Sequence, residues 1–143
     1  MRYNLRVMAS HARQAPTAET GDDAALIAEW RDLLDRHART TCALEKVLQE
    51  RHQLGVSEFE VLERLASCDS EQNRMQELAD TVHLSQSALS RLIGRLENDG
   101  LVARSMCSSD RRGIYACLTS SGRERYEAAR PTQRQLLAEL LND

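Results

Sequence analysis

Apolar residues recur every three or four positions from Leu26 onward, through Ile27, Trp30, Leu33 and Leu34, and then at Leu44, Val47 and Leu48. That period predicts one helix from about Asp22 to Gln53, with Asp22 and Asp23 favourable at its positive end. A helix of about thirty residues is longer than one small core covers, so a partner subunit is the expected cover. Gly55 marks its stop. Ser57-Glu-Phe-Glu60 reads as a capping box, with Val56 and Val61 as the apolar staple. It opens a short helix through Ser67 that buries Phe59, Val61, Leu62 and Leu65.

From Asn73 the pattern changes. Asn73 is placed to cap a helix, with Gln76 reaching back three residues later, and Met75, Leu78, Ala79 and Val82 form its apolar stripe. Thr81 to Leu84 makes a turn, and Ser85 caps the next helix, in which Ala88, Leu89, Leu92, Ile93 and Leu96 point inward. Asn98-Asp99-Gly100 ends that helix, with Gly100 available for the left-handed cap position. Two short strands follow, Leu101 to Met106 and Ile114 to Leu118, around the polar loop Cys107-Ser-Ser-Asp-Arg-Arg-Gly113. Thr119 caps a last helix holding Tyr126, Ala129, Leu136, Leu137 and Leu140, which Pro131 is expected to kink or divide. The fold expected is mainly α with a small β-hairpin: a winged helix-turn-helix over 57–118, flanked by dimerisation helices at 22–54 and 119–143. Residues 1–21 form a flexible lead, and 22–143 a single domain.

The outer face of the Ser85-capped helix carries Gln86, Ser87, Ser90, Arg91, Gly94 and Arg95. Such a helix fits the major groove of DNA, its first amides favour a phosphate, and an arginine can bind guanine through two hydrogen bonds. Taken alone, the same face could be an ordinary solvated one. The hairpin that follows changes the balance, because two arginines at its tip can reach a narrow minor groove. The candidate DNA contacts are Arg74, Ser85, Gln86, Ser87, Ser90, Arg91, Arg95, Asp110, Arg111 and Arg112. Asp110 is expected to orient Arg112 through a charge-assisted bond.

A net charge of −3 over 143 residues opposes binding to a polyanion until it is divided along the chain. Glu19 to Glu71 holds thirteen acids against six bases, whereas Arg74 to Arg112 holds six bases against five acids. The acidity lies in the helical scaffold. Only one Lys occurs, Lys46, so nearly every cation is a fork-shaped guanidinium. No apolar run approaches the roughly 20 residues of a membrane span, and the first residues lack the apolar core of a secretory signal. A cytoplasmic protein with reduced cysteines is expected.

Several stretches resemble the MarR (multiple antibiotic resistance regulator) family of bacterial transcription factors. They are Gly55-Val-Ser-Glu-Phe-Glu-Val-Leu-Glu-Arg-Leu65, Leu78-Ala79, the run from Ser87 to Val102, Asp110-Arg-Arg-Gly113 and Leu118-Thr-Ser-Ser-Gly122. The resemblance covers most of residues 24–141. It implies a homodimer that places two recognition helices in successive major grooves of a pseudo-palindromic double-stranded operator. By that pattern Ser87, Ser90, Arg91 and Arg95 touch DNA from the helix, while Arg112 enters the minor groove supported by Asp110. Relatives carry a further C-terminal helix, and the sequence ends at Asp143. Dimer contacts are therefore expected from the first long helix, the last helix and the N-terminal lead.

The resemblance also implies a small, often phenolic or otherwise aromatic effector that releases a repressor. Trp30, His37 and Arg39 are its candidate contacts, combining a stacking surface, a titratable ring and a carboxylate-binding fork. A core Trp30 beside two solvated neighbours is the alternative. Cys107, near Arg104, Arg111 and Arg112, would make a redox-responsive regulator of the same fold. With the hairpin turning around Asp110, Cys117 lies about four residues (~13 Å) from it, too far for a disulfide. His37, Cys42 and His52 do not share one helix face, so no metal or other cofactor is expected. No phosphate loop or nucleophile elbow points to an enzyme. A winged helix used only as a protein-interaction module would bind no DNA at all.

Overall fold

A computed structural model describes residues 21–67, 73–106 and 114–142. In chain order the elements are α1 (Gly21–His52), α2 (Val56–Ser67), β1 (Asn73–Arg74), α3 (Met75–Thr81), α4 (Gln86–Asn98), β2 (Val102–Met106), β3 (Ile114–Leu118) and α5 (Ser120–Leu141). The chain divides within α1 into two compact units, one ending at Ala38 and one beginning at Arg39. The lead over 1–20 lies outside the described residues. Among those described, no helix is long and apolar enough to cross a membrane.

In the first unit the apolar stripe is left uncovered. Leu26 is 63% exposed, and Trp30 and Leu33 are each 58% exposed. Trp30 is therefore not a core residue.

The core of the second unit is aliphatic around one aromatic pair. Leu48, Leu54, Phe59, Val61, Leu62, Leu65, Leu78, Leu89, Ile93 and Leu96 are buried together with Tyr126 and Ala129. Phe59 and Tyr126 pack at tilted planes, 5.6 Å between ring centres. The apolar positions expected to point inward from α2 and α4 are buried, except Ala88, which is half-buried. Along the α2–α5 seam, the Tyr126 hydroxyl donates to Glu63 Oε1 at 3.2 Å, and Arg134 pairs with the same carboxylate. Burial, and then the Glu63 charge, push the Tyr126 phenol above its usual range. Nearby, His52 Nε2 and Thr132 Oγ1 are 2.8 Å apart; burial and the charges of Arg51 and Arg125 hold that imidazole below its ordinary value.

The first helix ends at His52, close to the expected stop, and Gln53 takes left-handed backbone (φ 55) just beyond it. Three local expectations need correction. The capping box of α2 is displaced, because the helix starts at Val56. The Gly55 amide donates to Glu58 Oε2 at 2.8 Å, and the Val56 amide to Glu45 Oε2 at 2.7 Å. Glu58, not Glu60, is thus the residue that reaches back. Asn73 does not cap α3. Asn73 and Arg74 instead form β1, paired with Ala116 and Tyr115, so the hairpin gains a third strand in the order β1-β3-β2. Strand pairing satisfies backbone groups there that a cap would have left to solvent.

Finally, Pro131 does not divide α5, which runs unbroken for 22 residues. Proline cannot bond the carbonyl of Glu127, but both residues lie on the exposed side, where water can serve that oxygen. Tyr126, Ala129 and Gln133 remain buried on either side of it and hold the helix against the core.

Candidate nucleic-acid interface

The helix-turn-helix is built from local signals. After α3 the Leu84 amide bonds the Ala79 carbonyl at 3.0 Å, and His83 takes the left-handed conformation (φ 56) that this closure needs. Ser85 then caps α4, its Oγ accepting from the Ala88 amide at 3.2 Å and lying 3.3 Å from Ser87 Oγ. At the far end Gly100 (φ 73) lets its own amide bond the Glu97 carbonyl, and that of Leu101 bond Leu96. The second helix is therefore fixed in length and direction at both ends.

On this frame Ser85, Gln86, Ser87, Ser90, Arg91 and Arg95 are all exposed, while Leu89, Leu92, Ile93 and Leu96 are buried. A polar face bearing two arginines, next to the positive end of a helix, is thus presented to solvent. The first amides of α4 have no partner within the helix, which suits an anion. Arg74 stands in β1 rather than in α3, with its backbone in the sheet. Asp110, Arg111, Arg112 and Cys107 lie outside the described residues. The strands that lead to them pair Met106 with Ile114 and Ala103 with Cys117, a register centred on position 110. Cys117 itself is half-buried and donates to the Ala103 carbonyl at 3.5 Å. Trp30, His37 and Arg39 are all exposed. A cavity of about 390 Å³ between α2, β3 and α5 is lined by other residues, among them Leu65, Leu118 and Arg123.

One side chain that braces the α4 face has little sequence signal. Arg104 on β2 lays its guanidinium along α4, donating to the Ser90 carbonyl at 2.7 Å and pairing with Glu97 at 3.1 Å. Gly94 lies beneath it, and a β-carbon there would meet the guanidinium at an ordinary 3.8 Å. Packing within the chain therefore does not demand glycine at 94. The sequence around Gly94 and Arg104 thus carries no signal for this contact. Arg104→Ala is expected to lower the free energy of unfolding by about 1 kcal/mol. Arg104→Lys should restore only part of that loss, since a point charge cannot reproduce the fork. An unchanged urea midpoint in the alanine variant would refute the tie.

This geometry is shared with known regulators. The sequence matches the MarR family over residues 54–114. The structure is similar to AbsC, a MarR family transcriptional regulator from Streptomyces coelicolor, at 33% identity and TM-score 0.78 over 87% of this chain and 81% of that one. It is also similar to Sco3205, a MarR family regulator from the same organism seen in complex with DNA. There the identity is 27% and the TM-score 0.80, over 92% and 80% of the two chains. The HTH-type transcriptional regulator YwhA of Bacillus subtilis is 27% identical over 106 residues, 73% of each chain. A capped, arginine-bearing second helix followed by a strand pair, on a fold shared at this level over most of the chain, places the protein in the MarR family of DNA-binding transcriptional regulators.

Proposed function

We propose that the protein acts as a homodimer that reads a pseudo-palindromic operator in double-stranded DNA and represses until a small aromatic or phenolic effector releases it. The observation that carries the reading is the exposed α4 face, where Gln86, Ser87, Ser90, Arg91 and Arg95 stand clear of the core. In this reading Arg91 and Arg95 address base edges, while Ser87, Ser90 and the first amides of α4 hold phosphates. The tip residues Asp110, Arg111 and Arg112 would follow the adjacent minor groove. Residues 22–54 and 119–143 would form the dimer contacts, which would cover the exposed stripe of α1. Trp30, His37 and Arg39 suit an aromatic acid, and release follows if the ligand-bound dimer no longer matches half-sites ~34 Å apart.

Selection of bound sequences from random duplexes by the purified protein tests this directly and returns the half-site spacing. Against the selected duplex, Arg95→Ala is expected to lose discrimination at one base pair by about 1–3 kcal/mol, roughly 5- to 150-fold. Binding to random DNA should fall much less. Equal loss on both would show that Arg95 holds only a phosphate.

A further inference from the structure

We infer that Glu58, on the first turn of α2, is a positioning residue for DNA recognition: it orients the Arg95 guanidinium before a duplex arrives. This inference rests on the reading of Arg95 as a base-contacting residue. Glu58 Oε1 lies 3.5 Å from Arg95 Nε. The carboxylate is itself held, because its other oxygen accepts from the Gly55 amide at 2.8 Å and its side chain is only 17% exposed. Arg95, by contrast, is 62% exposed at its side chain. A held carboxylate therefore faces an exposed arginine at the nitrogen nearest its stem. Guanine is read by the two terminal nitrogens of such a fork, so a contact at Nε sets their plane without competing for them. Orienting the fork in advance removes rotamer freedom that would otherwise be lost on binding. A wandering arginine would take any phosphate as readily as a base.

The carboxylate also does two tasks that separate experimentally. Glu58→Gln keeps an oxygen for the Gly55 amide, so the cap survives, but it removes the charge facing Arg95. Glu58→Asp keeps the charge and draws it back by one methylene. The readout is the ratio of affinities for the selected duplex and for the same duplex changed at the Arg95-dependent base pair. Both variants are expected to lower that ratio by roughly two- to fivefold, the scale of an exposed ion pair. In the Arg95→Ala background neither should change it. Simple removal of negative charge near DNA would instead strengthen binding to both duplexes alike and leave the ratio intact. An intact ratio in both variants, or the same fall with and without Arg95, overturns the role of Glu58. If Arg95→Ala alone leaves the ratio unchanged, the reading of Arg95 fails first and the inference falls with it.

Discussion

Gly122→Ala is expected to destabilise the protein by about 3 kcal/mol or more, although it adds a single methyl group. A β-carbon at that position would stand 2.0 Å from the Leu101 carbonyl oxygen and 2.8 Å from Leu118 Cδ1. The leucine side chain could turn away. The carbonyl cannot, because it already accepts from the Thr119 amide at 3.1 Å. Thr119 is fastened in turn, its hydroxyl donating to the Gly100 carbonyl at 2.7 Å and accepting from the Gly122 amide at 3.0 Å. The end of α4, the start of β2 and the first turn of α5 thus meet at one knot of backbone bonds. A methyl group there must either break the cap of α5 or lift the strand away from the recognition helix. Urea unfolding with intrinsic fluorescence or circular dichroism measures the loss. Ser121→Ala, at the exposed neighbouring position, should stay within about 0.5 kcal/mol of the parent. A Gly122→Ala variant with the parent midpoint would mean that the two backbones do not approach so closely in solution.

What was legible in the sequence follows from the range of each interaction. The caps at Ser85 and Thr119, the turn over Thr81–Leu84 and the left-handed Gly100 each depend on residues within one or two turns. All four stand where the local chemistry places them. The hairpin register centred on position 110 was equally readable, since two strands joined by a short loop have few ways to pair. Apart from the cap of α2, which stands two residues earlier than its local pattern indicated, the misses were of longer range. Asn73 and Arg74 look like a helix start until β3 offers an edge to pair with. Pro131 looks like a break until the packing of Tyr126, Ala129 and Gln133 on either side is known. Arg104 over Gly94, and Glu58 beside Arg95, join elements that no sequence window contains together. At the candidate interface, then, the polar face of α4 could be read directly, but the side chains that position it could not.

Leu33→Glu is expected to convert the proposed dimer into monomers, raising its dissociation constant on the order of 1,000-fold or more. Leu26, Trp30 and Leu33 follow one another at helical spacing on α1 and are each more than half exposed. So much contiguous apolar surface is unusual on a protein that works alone. In a twofold dimer a single substitution enters the seam twice. Each copy would forfeit the roughly 1.5–3 kcal/mol of burying a leucine, and the carboxylate would have to be desolvated or the seam opened. The two leucine losses sum to about 3–6 kcal/mol, and desolvating two carboxylates carries the total past the ~4 kcal/mol that corresponds to three decades in affinity. Because Leu33 is exposed within its own chain, the core built on Phe59, Leu89 and Leu96 should be untouched, and circular dichroism should return the helix content of the parent, while the urea midpoint falls by the lost association. Leu33→Met, which keeps the volume, should change association by less than tenfold. Sedimentation across a dilution series reads the dissociation constant directly. Binding to DNA then supplies the functional consequence. The monomer keeps one recognition helix, so its affinity for a full operator should drop to that for an isolated half-site, and it should become indifferent to the ~34 Å spacing between half-sites. A Leu33→Glu protein that remained dimeric and still required the correct spacing would show that subunits meet elsewhere and that the α1 stripe serves another partner.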